Sequence, residues 1–300
     1  MPKPPIMATA APDSKAIVLI TGANRGIGFE IAKKLATSPD KPYHIILSSR
    51  HHSSVESAIT TLRALPNLHS STTLEPLPLD LTSDTSISSA AAHISTKHNH
   101  LDILVHNAAI SFSSLSTHVT DPHAPQRERE NWHAIFDTNL IGPALLTDAL
   151  LPLLSASPQP ERKIVFVSSK LGSIAYTFDE VNSRHIDLND ATRFTEYSAS
   201  KAALNLYAKH LAWRLEHSHG EGGGSGRGKS EGEGGDKKGG EEKKGKWKVN
   251  VVCPGYTKTG LNNYQGTQEP SEAAKIVVRL VQEEGGETGT FRDKDRIVPW

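Results

Sequence analysis

The chain has 300 residues, 33 acidic against 33 basic side chains and one cysteine, so no net field points to nucleic acid or an anionic membrane. The lone Cys253 excludes an intrachain disulfide and fits a reducing compartment, which makes the cytoplasm the expected location. No apolar run approaches the roughly 20 residues that span a bilayer, and the proline-bearing residues 1–15 read as a disordered lead-in, not a secretory signal.

From residue 16 onward, short Val/Ile/Leu runs alternate with helical patterns. Strands are predicted at Ala16–Ile20, His44–Leu47, Thr73–Leu79, Ile103–His106, Lys163–Val167 and Lys248–Val252. Helices are predicted over 27–37, 53–65, 84–98, 131–155, 196–217 and 271–283. Nearly unbroken apolar strands belong to parallel sheets covered on both faces, and right-handed crossovers place helices on both sides. The expected fold is therefore α/β, one Rossmann-type doubly wound parallel sheet in a single domain over residues 16–300. Residues 220–246 contain Gly, Ser, Lys, Arg, Glu and Asp alone. Without apolar side chains they are expected to form a disordered insert, either a tolerated surface loop or a docking segment.

TGANRGIG, Thr21 to Gly28, follows the first strand and opens the first helix. Strand, glycine turn and helix in that order make a phosphate cradle. Gly22 permits the tight turn, Gly26 admits a pyrophosphate and Gly28 lets the helix approach the sheet. Thr21, Asn24, Arg25 and Ile27 complete the turn, and the helix N-terminus offers N–H groups to the phosphates. At the end of the second strand, Leu47-Ser48-Ser49-Arg50 has no acid to hold a ribose 2′-hydroxyl. Arg50, with Arg25 as a second cation, suits a 2′-phosphate instead, so NADP is the expected cofactor.

Tyr197 and Lys201 (YSASK) sit four apart, one turn along a helix face. A neighbouring ammonium favours a phenolate, so the pair is expected to act as a tunable proton donor and acceptor. Ser168-Ser169 ends the KIVFVSS strand, and His106-Asn107-Ala108-Ala109 ends the fourth strand. Asn139 stands inside the long predicted helix, an unusual place for an amide without a task.

In the order and spacing of these pieces, the chain resembles the classical short-chain dehydrogenase/reductase family from about residue 16 to the end. The matching pieces also include Asp80-Leu81 and the segment CPGYTKT, Cys253 to Thr259. Arg25, Arg50, the long stretch between Ser169 and Tyr197 and the GTFRDKDRIVPW ending look most like its carbonyl reductase branch. The resemblance implies hydride transfer between NADP(H) and a ketone, aldehyde or quinone, or the corresponding alcohol. It implies Tyr197 as acid/base, and Lys201 as the group that lowers its pKa and holds the nicotinamide ribose. Ser169 would bind the substrate oxygen, and Asn139 would order a water linking Lys201 to solvent. Asp80 and Leu81 would meet the adenine, Asn107 and Ala108 the cofactor floor, and Pro254, Gly255, Thr257 and Thr259 the nicotinamide end. HNAA departs from the commoner NNAG by an imidazole at His106 and a methyl at Ala109.

Between Ser169 and Tyr197 the chain is richer in apolar residues than a connector needs. Tyr176 and Phe178 there, with Tyr264 beyond Thr259, are expected to wall an open pocket for a small-molecule substrate, unless they merely pack on the long helices. A non-catalytic NADP(H)-binding protein of the same fold is the alternative. Ser169 lacks the G-x-S-x-G elbow of a hydrolase. His51-His52 and His98-Asn99-His100 show no zinc spacing, so no metal is expected. Monomer and homo-oligomer stay open: helices 131–155 and 196–217 pair between subunits in the family, and the long segment can block this.

Overall fold

The computed structural model describes residues 15–111, 124–177, 194–218, 245–294 and 296–300, with backbone alone at 124–127. Phe178, residues 1–14 and residues 220–244 of the charged insert lie outside the described residues.

Eight strands form one sheet in the order β3-β2-β1-β4-β5-β6-β7-β8. They are β1 (Ala16–Thr21), β2 (Tyr43–Ser49), β3 (Thr73–Pro78), β4 (Ile103–His106), β5 (Glu161–Val167), β6 (Lys246–Cys253), β7 (Phe291–Asp293) and β8 (Arg296–Ile297). All pairings are parallel except β7 with β8. Sequence patterning missed β7 and β8, which are too short to carry a period. Lys246 opens β6, so the last residue assigned to the insert belongs to a strand.

Period-two alternation explains the unbroken apolar runs. Ala16, Val18 and Ile20 of β1 enter one core, and Ile17 and Leu19 enter the other. The first core is closed by α1 (Gly26–Ala36), α2 (His52–Arg63) and the helix Pro270–Gln282 through Leu35, Leu62 and Val277. The second is closed by α3 (Asp84–His98), by α5 (Gly142–Ser155) through Leu146, Leu150 and Leu154, and by the helix Thr195–His217. Between α3 and α5 lies α4 (Ala124–Phe136), and after β5 comes the short α6 (Ile174–Thr177). Thr195–His217 is then α7 and Pro270–Gln282 is α8.

The helix predicted over 131–155 is two helices, α4 and α5, joined by a π-turn at Asp137–Ile141. A π-turn places one extra residue in the helical path and is common at functional sites. At Gly142, just beyond it, an added Cβ would lie 2.3 Å from Leu81 O, so the helix here passes directly over the turn between β3 and α3. The stretch Glu128–Ser155 does have the length and apolarity of a membrane span, contrary to the sequence expectation. Leu146, Leu150 and Leu154 nonetheless line the second core, and Asn139 and Thr147 are buried.

Candidate active site

The glycine turn is built from both sides. Gly22 has φ +64, and a Cβ there would come 3.0 Å from Ala108 Cα. At Gly28 a Cβ would meet Gly22 O at 2.4 Å and Asn107 Nδ2 at 2.5 Å. Glycine is therefore required where α1 passes over the turn. Asn107 Nδ2 donates to Thr21 O at 2.9 Å and to Gly22 O at 3.1 Å. Thr21 Oγ1 accepts the backbone N–H groups of Asn107 and Ala108, each at 3.0 Å. Asn107, expected on the cofactor floor, is thus also the brace that ties β4 to the turn. Arg25 caps α1 without a side-chain hydrogen bond, which leaves the first-turn N–H groups unclaimed by a capping side chain.

Arg50 stands exposed after β2, and its charge acts on Asp80. Burial opposes the Asp80 charge, but hydrogen bonds from Thr82 N and Oγ1 at 3.0 and 2.8 Å, then Arg50 and His51, hold its carboxyl below the usual range. Arg25 instead lies toward the loop after β6. A Cβ at Gly260 would be 3.8 Å from its Cζ and 3.8 Å from Tyr264 Oη. The same loop reaches the turn at Gly26, where a Cβ would lie 3.4 Å from Thr259 Cγ2. This loop is closed by Gln268 Nε2, which donates to Pro254 O and, at 3.2 Å, to Thr257 Oγ1. Gly255 has φ +84, and Thr259 and Asn262 form a reciprocal capping box.

Tyr197 and Lys201 occupy the first turns of α7. Lys201 Nζ donates to Val167 O at 3.0 Å, beside Ser168-Ser169, and sits 5.7 Å from the Tyr197 ring centroid. Burial lowers the lysine to about 8. Burial also pushes the Tyr197 phenol up, with Cys253 acting in the same direction. The ammonium was expected to lower the phenol. Here its Nζ donates to a carbonyl, and the phenol is raised by burial. Ser169 Oγ accepts Leu171 N at 3.2 Å, which leaves its own hydrogen free to donate elsewhere.

Asn139 is fully buried in the π-turn. Its Oδ1 accepts Ile110 N at 2.9 Å, and its Nδ2 donates to Ile110 O at 2.9 Å and Ser200 Oγ at 3.1 Å. Ser200 Oγ in turn donates to Tyr197 O at 2.7 Å. Both amide hydrogens are committed, so the side chain fixes the segment after β4 against α7 instead of facing a water with them. His106, stacked on Phe166 at 4.7 Å, is held by burial, with Lys201 adding to it, at about 3. Its Nε2 lies 2.8 Å from Thr147 Oγ1, and its Nδ1 has no hydrogen-bond partner among the described residues. The neutral ring therefore fills the site of an ordinary amide.

Of the expected substrate wall, Tyr176 packs on the second core with Lys170 Nζ 4.9 Å from its ring centroid. Lys170 also pairs with Asp293 Oδ2 at 2.5 Å. Tyr176 thus belongs to a packed ion-pair assembly. Ile174, 69% exposed, is a large apolar side chain that the described part of this segment presents to solvent. Tyr264 is exposed in a left-handed conformation, φ +63, on the Arg25 side. Sequence reasoning missed the C-terminal contribution. Ser173 Oγ donates to Pro299 O at 2.6 Å, Ala175 N donates to Trp300 O at 3.3 Å, and Lys209 lies 5.4 Å from the Trp300 ring centroid. A terminal tryptophan carries no pattern that would have placed it there.

Residues 16–219 match the short chain dehydrogenase family. A short-chain dehydrogenase/reductase from Phoma sp, eupG, is 34% identical, covering 98% of this chain and 100% of its own. The (-)-isopiperitenone reductase of Mentha piperita is 31% identical over 93% of this chain and 96% of its own. Among solved structures, the NADPH-bound carbonyl reductase from chicken fatty liver superimposes with TM-score 0.69 at 22% identity, covering 95% of this chain and 99% of that one. The chain belongs to the short-chain dehydrogenase/reductase family and is an oxidoreductase of the kind that binds a nicotinamide cofactor.

Proposed function

We propose that this protein is an NADPH-dependent reductase of small carbonyl compounds, with Tyr197 as the proton donor. The observation that carries the reading is Lys201, buried one helical turn from Tyr197 and anchored on Val167 O where β5 delivers Ser169. Ligands of open α/β sheets sit at this C-terminal edge of the strands. The residues suit a nicotinamide dinucleotide: Gly22 and Gly28 leave no room for a side chain, α1 offers free N–H groups, and β2 ends on Arg50 without an acid. NADPH in the chicken carbonyl reductase supports the choice of cofactor.

When bound, the cofactor supplies the hydride. Ser169 Oγ, already accepting Leu171 N, donates its hydrogen to the carbonyl oxygen and fixes its position. Tyr197 gives its phenolic proton to that oxygen as negative charge develops on it. Lys201, ionised below about 8, offsets the charge left on Tyr197. Asn139 acts as a positioning residue through Ile110 and Ser200.

The test is cofactor consumption by the purified protein with a panel of ketones, aldehydes and quinones, using NADPH and NADH in parallel. Turnover with NADPH is expected, with NADH much weaker. Arg50→Ala is expected to weaken NADPH binding by roughly tenfold or more, the scale of one charge-assisted hydrogen bond. NADH binding should hold. Equal losses for both cofactors would remove Arg50 from the 2′-phosphate, and an inactive panel with intact NADPH binding would favour a non-catalytic role.

A further inference from the structure

At the opposite end of the sheet, a carboxylate is surrounded by imidazoles. Glu75 lies in the edge strand β3, paired in register with Ile46, on the face covered by α3. Its side chain is 6% exposed. His44 Nε2, from β2, is 2.8 Å from Glu75 Oε2, and His98 Nε2, the last residue of α3, is 3.0 Å from the same oxygen. His93 Nε2 is 2.6 Å from Oε1, and Lys97 Nζ is 3.0 Å from it. The His44 and His98 rings lie 4.6 Å apart.

We propose that His44, Glu75 and His98 form a binding site for a borderline divalent transition metal, zinc foremost, with His93 as the fourth ligand. Two or three imidazoles and one carboxylate are a zinc donor set, while calcium and magnesium call for more oxygen ligands than this cluster holds. A tetrahedral zinc with bonds of roughly 2.0–2.2 Å needs its ligand atoms about 3.4 Å apart. The ligand atoms of His44, Glu75 and His98 already lie within 4.8 Å of one another. Side-chain shifts on the order of an ångström therefore bring these three to bonding distance, and His93, held on Glu75 Oε1 outside that cluster, swings further to join them.

A second shell is in place. His44 Nδ1 is 2.7 Å from Thr73 Oγ1, which fixes the ring with Nε2 toward Glu75. The competing cation is Lys97, whose half-exposed side chain can turn into solvent. The ligands come from the edge strand β3, its neighbour β2 and the end of the helix crossing them, so the metal would clamp the sheet's edge. His44 is the second residue of β2, whereas the glycine turn follows the end of β1, so the clamp is remote from the reaction. No short spacing announces it, because its ligands are on three elements.

The test uses tag-free full-length protein and Co²⁺ alone as the probe, followed by Zn²⁺ displacement. The expected result is one equivalent of Co²⁺ with the intense visible bands of four-coordinate geometry, displaced by Zn²⁺, and a higher Tm with either metal. His44→Ala/His98→Ala should lose the bands and at least tenfold in affinity. His98→Gln at the helix end serves the same purpose should the double variant not fold. Tyr197→Phe should keep the full Co²⁺ signal. If the wild type binds Co²⁺ no better than these variants, Glu75 is held by hydrogen bonds alone and the proposal fails. Undiminished binding in the variants would assign the metal to other histidines and overturn it equally.

Discussion

Lys201 and Glu75 are both buried charges, 1% and 5% exposed, at opposite ends of one sheet. Lys201 is given one carbonyl, Val167 O, and burial drives it down to about 8. Burial also works against the Glu75 charge, but hydrogen bonds from His93, Lys97 and His44, with the charge of His98, outweigh it and hold the carboxyl at about 2. One end of the sheet keeps charge poorly compensated and easy to move. The other surrounds it with donors and locks it. The same burial thus yields a group poised for proton chemistry or a structural anchor, according to how many partners the neighbouring elements supply.

The largest expected effect is at the poorly compensated end. Tyr197→Phe keeps the ring and removes the proton, so turnover is expected to fall by roughly 10²–10⁴-fold. Steady-state rates together with a cofactor-binding titration check this. Near-normal turnover with intact binding would mean that this end of the sheet is merely strained.

A smaller effect of opposite sign is expected in stability. Lysine ordinarily titrates at 10.5, and Lys201 in the fold at about 8. Between those values the unfolded chain holds a proton that the folded chain has released, so stability rises with pH across that window. Below about 8 the penalty of burying the charge is present in full. Lys201→Met is therefore expected to abolish turnover while raising Tm at pH 7 by ~2–4 °C. The gain should shrink as pH rises through the window. Thermal melts at pH 7 and 10 decide it, and a lower Tm at both would show that Val167 O needs the ammonium more than the fold resents it.

The smallest effect, a change of slope, belongs to the locked end. Glu75 titrates ordinarily at 4.5 and in the fold at about 2. Its contribution is present above the higher value and is lost as pH falls toward the lower one. Glu75→Gln should flatten the acid limb of stability between those values. Urea melts at several acid pH values measure the slope. An unchanged slope would show that other carboxylates set the acid limit.

Much of this contrast was legible in residues and some was not. The six main strands and their helices could be read because Val/Ile/Leu runs and glycine turns are local signals. The Tyr197–Lys201 spacing gave one helix face correctly. It could not show that Lys201 turns to Val167 or that burial would raise the phenol, because both depend on β5 arriving underneath. The π-turn at Asp137–Ile141 was invisible because composition hardly distinguishes it from α-helix. Tyr176 looked like a pocket wall because apolar content says nothing of Lys170 beneath the ring. Arg25 and Arg50 were expected on one phosphate, and the approach of the Gly260 loop to Arg25 was not legible because that loop lies far along the chain. His98 was read with His100 as a pair without zinc spacing, and its contact with Glu75 beside His44 could not be read because those residues come from β3 and β2.

The π-turn has a consequence for how this gene can be edited. A π-turn holds one residue more than the regular helix around it, so removing one residue lets the segment relax to plain α-helix while α4 and α5 keep their faces. Leu146, Leu150 and Leu154 would stay in the core, whereas Asn139 would lose its alignment with Ile110 and Ser200. Deleting Thr138 is thus a cleaner probe than substituting Asn139. It releases the Asn139 amide from Ile110 and Ser200 without removing a core leucine, and it separates the length of the helix from the chemistry that the extra residue serves.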